Sequence, residues 1–297
     1  MLLFTPMQNQ AAAVSVAVFY PELGEPFRTV FEQIIQGLES EVHVQRYPLG
    51  DNFDSAALHR SFVEQNSTVI VALGQRGLKA ARGLNAAVPI IAGAVLSLPD
   101  DSPASMGGFS LAPDPGLLLE RLKSLAPGVR RVMTVYSPRS AWLTKQAQDA
   151  AKLQGLELIA RPAGDLREGA QVYRDLLQLA TGSNDAIWLP MDTGILDEAA
   201  LLPLILEQAW SRNVVIFSSS LSHVPKGALF ALYPDNLQLG RRLAAMAASR
   251  ARGGSGDEPV FLPLRDVRTA VNLRTASHLG LDLDTRQHGF DLVFPAP

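Results

Sequence analysis

Apolar residues along this chain gather in short runs of six or seven positions, separated by longer stretches with apolar residues every three or four positions. The short runs are VSVAVFY (14–20), VHVQRY (42–47), TVIVALG (68–74), VPIIAGA (88–94), RRVMTVY (130–136), LELIAR (156–161), DAIWLPM (185–191), NVVIFS (213–218) and ALFALY (228–233). Their β-branched content and length predict strands. The stretches between them predict amphipathic helices: 26–39, 55–65, 75–84, 117–125, 141–155, 168–180 and 199–212. Several strands are apolar at consecutive positions, as expected of parallel strands covered by helices on both faces. Alternating strands and helices with short connections predict a doubly wound α/β architecture.

The alternation breaks near SLAPDPG (110–116), where two prolines and a glycine fall together. Four to five strands on either side predict two Rossmann-like lobes with parallel sheets joined by a multi-strand hinge. A late helical block, 234–254, precedes a Gly/Ser-rich turn and a last extended run, 260–273. If that helix returns to the first lobe, the lobes comprise 14–111 with 234–260 and 112–233 with 261–297, after a tail or signal remnant at 1–13. That opening segment holds an Ala-rich stretch, Ala11–Ala13, suggestive of a cleavage site, without a basic start or a full apolar core.

In open parallel sheets, ligands bind beyond the carboxyl ends of the strands. The residues just after each run are therefore the candidates. Tyr20 follows the first strand and offers a ring and a hydroxyl, or else caps the core. Gly74, Gln75 and Arg76 open a helix after the third, where free N–H groups favour an anion; the alternative is an ordinary turn glycine. Ser137, Arg139, Ser140 and Trp142 follow the run at 130–136: Arg139 can fork onto a carboxylate, or the serines simply cap a helix. Asp192 and Thr193 end the run DAIWLPM, as a helix N-cap or as a carboxylate for an ammonium or hydroxyl. Ser219 and Ser220 lie in the hydroxyl-rich loop FSSSLSHV (217–224).

Composition narrows the chemistry. Lys and Arg number 26 against 29 Asp and Glu, a net charge of −3, with no basic run of the kind a nucleic-acid partner requires. No apolar run is long enough to predict a transmembrane segment. There is no cysteine, which excludes thiolate chemistry, disulfides and a lipid-modified N-terminal cysteine. The five histidines lack H-E-x-x-H spacing, and neither a nucleotide fingerprint, a P-loop nor a G-x-S-x-G elbow occurs. No metal or cofactor is expected, and no enzymatic activity. A Ser/His hydrolase built on Ser220 and His223 is the alternative of another class.

In combination, several of these segments resemble the ABC-transporter substrate-binding proteins related to tryptophan- and tyrosine-binding lipoproteins, over residues 14–284. The carriers are TVIVALGQRGLKAARGLNAAVPIIAGAV, GGFSLAPDPGLLLERLKSLAPGVRRVMTVYSP, LPMDTGI, VVIFSSSLSHVPKGALFALYPDNLQLGRRLAAMA and AVNLRTASHLGLDL. The resemblance implies a type I periplasmic-binding-protein fold whose two hinged lobes close on a small ligand, often an amino acid. It also implies a periplasmic location, an ABC permease or a sensor protein as partner, and a monomer. A ligand-sensing module of the same fold is the alternative role. The chain departs from the family pattern where RSAW follows SP, where Thr193 follows Asp192, and where FSSSLSHV lacks an acidic residue. Those departures leave the architecture intact and do not carry the family's usual ligand over.

Overall fold

A computed structural model of the chain describes residues 14–84, 88–103, 105–253, 260–284 and 288–295, so the expected signal remnant lies outside the described residues. The chain divides into two compact units, Met1–Phe109 with Asn236–Leu262, and Ser110–Asp235 with Pro263–Pro297. The backbone therefore passes from one unit to the other three times.

The first unit carries β1 (Ser15–Pro21), α1 (Phe27–Glu39), β2 (His43–Leu49), α2 (Ser55–Glu64), β3 (Val69–Leu73), α3 (Gly74–Gly83) and β4 (Ile90–Val95). β1 pairs in parallel with β2 and β3, and β3 with β4. β3 is buried at every position, which the unbroken run VIVAL anticipates for a strand covered on both faces. β5 (Gly107–Pro113) and β11 (Phe261–Leu264) complete a six-stranded sheet in the order β11-β5-β4-β3-β1-β2. β5 and β11 are the neighbours that run through unit boundaries.

The first passage between units falls at Phe109–Ser110, at the edge of the stretch 110–116 where the sequence places the division, and it lies inside a strand. GGFSLAP is strand, and the following Asp114-Pro115-Gly116 starts α4 (Pro115–Leu125). The Asp114 carboxylate accepts the Gly116 N–H at 2.7 Å, and Pro115 sits at the helix start, where its missing N–H costs nothing.

The late helix α8 (Asn236–Ala251) belongs to the first unit, where it lies against α1. Gly37 and Gly240 make that contact possible. A Cβ on Gly240 would stand 2.1 Å from the Ile34 carbonyl oxygen, and one on Gly37 would stand 2.1 Å from that of Leu237. The two backbones touch where their side chains end.

The second unit continues with β6 (Arg131–Tyr136), α5 (Ala141–Leu153), β7 (Glu157–Pro162), α6 (Leu166–Leu179), β8 (Asp185–Leu189), α7 (Leu202–Ser211), β9 (Val215–Ser218) and β10 (Phe230–Pro234). β12 (Val267–Asn272), α9 (Leu273–His278) and β13 (Leu292–Phe294) close it. The sheet order is β13-β12-β10-β9-β8-β6-β7, parallel from β7 to β10, with β12 antiparallel to β10. One face packs Trp188, Phe217 and Phe230 from three adjacent strands, with successive ring centroids 6.4 and 5.3 Å apart.

β8 stops at Leu189, two residues short of the sequence expectation, because Pro190 has no N–H to give to a ladder. α7 begins at Leu202 instead of 199, and residues 191–201 form successive turns. Arg131 and Asp185 face each other at the starts of β6 and β8 and pair through two bonds, 2.9 and 2.8 Å. Burial alone would raise the Asp185 carboxyl, but Arg131 and Thr181 together hold it below the usual range.

Candidate functional site

Asp192 lies just past the carboxyl end of β8, with 8% of its surface exposed. Its Oδ1 accepts the Gly194 N–H at 3.0 Å, and its carbonyl accepts the N–H groups of Ile195 and Leu196 at 3.3 and 3.2 Å. The residue caps one tight turn of 192–196 and not α7. Ile195 and Leu196 anchor that turn in the core.

The other oxygen, Oδ2, faces the loop after β6. It accepts the Ser137 hydroxyl at 2.5 Å and the Ser140 hydroxyl at 3.1 Å. The serines are held in turn: Ser137 Oγ accepts the Arg139 N–H at 3.2 Å, and Ser140 Oγ accepts the Ser137 N–H at 3.0 Å. Because β6 and β8 are adjacent, the two loops meet, and serines 55 and 52 residues away in sequence share one carboxylate.

The two aspartates bracketing β8 are treated differently. Asp185 at its start is matched by an arginine; Asp192 at its end has no cationic partner among the described residues. A carboxylate offers about four acceptor positions. Three are filled by neutral donors, so the negative charge remains and one position is free for a further donor. Arg139 and Thr193, both exposed, flank it. Trp142, partly buried, follows within the first turn of α5.

Ser219 and Ser220 follow β9, the next strand across, but their hydroxyls are engaged. Ser219 Oγ accepts the Trp188 indole N–H at 2.9 Å, and Ser220 Oγ meets Ser222 Oγ at 2.8 Å. The expected Ser220–His223 pair is not formed. His223 Nδ1 instead meets the Oγ of Ser218, a residue with no exposed surface, at 2.8 Å.

The remaining candidates form a separate group on the first unit, at the ends of β1 and β3. Gly74 opens α3 with φ +68°, and a Cβ there would lie 3.3 Å from the Phe31 ring. Gln75 is exposed. Arg76 is partly engaged: its guanidinium donates to the Leu49 carbonyl at 2.9 Å and pairs with the exposed Asp51, two uses of a group with five N–H donors. Tyr20 is partly buried, and burial, with help from Glu32, pushes its hydroxyl above the usual value.

Sequence reasoning missed Tyr173. It sits on the apolar face of α6, fully buried, in the same core cluster as Ile195 and Leu196. The helix touches the Asp192 turn directly, since a Cβ on Gly169 would stand 2.2 Å from the Ile195 carbonyl oxygen. Burial and the Asp192 charge raise the Tyr173 hydroxyl strongly, and it has no hydrogen-bond partner among the described residues. An unsatisfied buried hydroxyl costs about 1–3 kcal/mol. Tyr173→Phe is therefore expected to raise the urea midpoint, by about 1 kcal/mol of stability. A loss of stability would show that the hydroxyl has a partner.

A concavity of the same unit, about 400 Å³, is lined by Leu206, Trp210, Pro225 and Arg274. Its Asn272 amide and Thr275 hydroxyl are spent on the Val224 and Gly227 carbonyls. Glu207 and Lys226 also line it, and Lys226 is paired with Glu198. Among the described residues no group of three His, Asp or Glu side chains is arranged to hold a metal, and no helix is long and apolar enough to cross a membrane.

Two open, largely parallel α/β sheets with three chain passages between them define a type I periplasmic-binding-like fold. The chain belongs to the ABC transporter substrate binding protein family, whose model matches residues 36–286. Its fold is similar to that of a ligand-free, open substrate-binding protein with adhesive properties from Clostridium difficile, with TM-score 0.62 and 18% identity over 94% of this chain and 98% of that one. It is also similar to an ABC domain from Streptococcus pneumonia in complex with L-Trp, with TM-score 0.59 and 18% identity over 95% and 100% of the two chains. A glucose-galactose binding protein from Geobacillus stearothermophilus matches with TM-score 0.51 and 12% identity over 86% and 96%. No curated protein matches the chain by sequence.

Proposed function

We propose that this chain is the extracytoplasmic solute-binding component of an ABC importer, and that it takes a small ligand bearing an ammonium or a comparable donor. The observation that carries the reading is Asp192: a carboxylate fixed by two serines and a backbone N–H, without a cation of its own, with one acceptor position left. A protonated amine supplies both the missing charge and the missing donor, and a charge-assisted bond of that kind contributes about 1.5–3 kcal/mol. Arg139, exposed and unpaired among the described residues, is the group we assign to a ligand carboxylate. An amino acid or a derivative carries both charges.

Membership of a substrate-binding family supports solute binding as the task. Delivery to a permease, a periplasmic location, retention of the ligand by hinge closure, a monomeric state and the absence of catalysis are parts of the same proposal. A thermal-shift screen tests it, with amino acids, amines, carboxylates, nucleosides and sugars at about 1 mM. A ligand with a Kd near 10 μM adds about 2.7 kcal/mol of stability. A hit confined to amine-bearing compounds supports the proposal; hits among sugars or amine-free carboxylates alone contradict the role given to Asp192.

A further inference from the structure

α7 has two faces. Leu202, Ile205 and Ala209 are buried in the core of the second unit. Pro203, Leu206, Glu207 and Trp210, at helical spacing, form a stripe along one side of the 400 Å³ concavity. The facing wall is the turn Pro225–Gly227 together with the start of α9, which carries Arg274.

That wall is held in shape by its own hydrogen bonds. Asn272 accepts the Thr275 N–H at 3.0 Å, and its amide donates to the Val224 carbonyl at 2.8 Å. The Thr275 hydroxyl donates to the Gly227 carbonyl at 3.0 Å. The turn and the helix start are fastened together without help from an occupant, as in a pre-formed ligand pocket.

Trp210 leaves 38% of its surface exposed, yet its ring is fixed. The His278 ring lies against the indole with centroids 3.6 Å apart and planes 9° from parallel. His278 Nε2 donates to the Trp210 carbonyl at 3.0 Å, since a carbonyl only accepts. The Arg274 guanidinium, one turn before His278, stands 6.0 Å from the centre of the indole ring. Arg274 is exposed and has no carboxylate partner among the described residues. Lys226, the other cation of the lining, is already paired with Glu198 at 2.8 Å.

We propose that this groove is a second ligand site, for a flat apolar monocarboxylate whose ring lies against Trp210 and Leu206 and whose carboxylate is held by Arg274. The guanidinium presents paired N–H groups that match a carboxylate, and the concavity is of the size usual for small-molecule pockets. Glu207, exposed on the α7 wall without a cationic partner among the described residues, disfavours a second negative charge on the occupant. The site goes beyond the amine site and shares no residue with it. Asp192 lies past the carboxyl end of β8, whereas Asn272 follows the β12 residue paired with the first residue of β10, and Trp210 precedes β9. The end of the groove that holds Arg274 is thus at the amino ends of the parallel strands.

Amide chemical-shift titration of the full chain with 2-naphthoate tests the site, against 2-naphthamide as the uncharged compound of the same shape. We expect saturable shifts in 206–211 and 272–278 with a Kd on the order of 1 mM, and naphthamide about fivefold weaker. At about 1 mM an occupant this weak adds little stability, so the thermal-shift screen reports the tighter amine site. Arg274→Gln should weaken naphthoate about fivefold and leave naphthamide unchanged. Glu207→Gln should strengthen naphthoate about twofold by removing a like charge. Both side chains are exposed, so neither exchange disturbs the core. Equal affinity of the two compounds for the wild type overturns the proposal, as does unchanged naphthoate binding in Arg274→Gln or weaker binding in Glu207→Gln. Shifts confined to 137–143 and 191–196, or none at about 10 mM naphthoate, overturn it too. Asp192→Asn leaves naphthoate binding as it is, so this site and the amine site fail separately.

Discussion

Gly240→Val is expected to destabilise the first unit by about 3 kcal/mol or more, the upper range for forcing atoms into a close-packed contact. The new Cβ would lie 2.1 Å from the Ile34 carbonyl oxygen and 2.8 Å from the Gly37 Cα, so backbone, and not a flexible side-chain tip, stands in the way. α8 can yield only by moving off α1, which uncovers Ile34 and Leu38. Urea denaturation should show a large fall in midpoint. Gly83→Ala is the control: nothing lies within 4 Å of its added Cβ, and a helical glycine replaced by alanine gains about 0.5–1 kcal/mol. Equal behaviour of the two variants would remove the helix contact from the account.

Asp192→Ala is expected to weaken an amine-bearing ligand at least tenfold, the loss of about 1.5 kcal/mol or more from one charge-assisted bond. It should also cost roughly 2 kcal/mol of stability, because the Ser137 and Ser140 hydroxyls and the Gly194 N–H lose their acceptor together. Asp192→Asn separates the two effects. Its carbonyl oxygen can still accept from one side, so much of the fold's share is kept, while the negative charge is gone. Titration calorimetry against the ligand of the wild type should find both variants weak and only the alanine variant markedly less stable. Wild-type affinity in either would exclude Asp192 from the site.

Much of this architecture is visible in the chain's own pattern, because runs such as VIVAL and DAIWL can be buried on both faces only in a covered parallel sheet. Position after a strand is enough to single out Ser137, Ser140 and Asp192, since adjacent parallel strands bring their carboxyl ends together whatever the sequence separation. Partnership is not legible. Nothing in LPMDTG says that Asp192 closes its own turn instead of capping α7, and nothing in ALGQRG says that Arg76 pairs with Leu49 and Asp51. Those facts depend on where a second loop lies.

The same holds for His223, whose neighbour in the fold is Ser218 and not the Ser220 that sequence proximity suggests; the strand's last side chain points inward. Tyr173 is hidden on an apolar face where its ring belongs and its hydroxyl does not. The prolines and glycine of SLAPDPG do lie beside the first unit boundary, but nothing in those residues says that the boundary falls inside a strand or that Asp-Pro-Gly starts the next helix.

The central claim is that a small amine-bearing solute is held at the strand ends of the second unit, against Asp192. Amide exchange with and without the compound selected by thermal shift tests it most directly. The account predicts new protection in 137–143 and 191–196, the two loops that share the Asp192 carboxylate, and its loss in Asp192→Asn. Protection confined to the groove of Trp210 and Arg274, with those two loops unchanged, would contradict it.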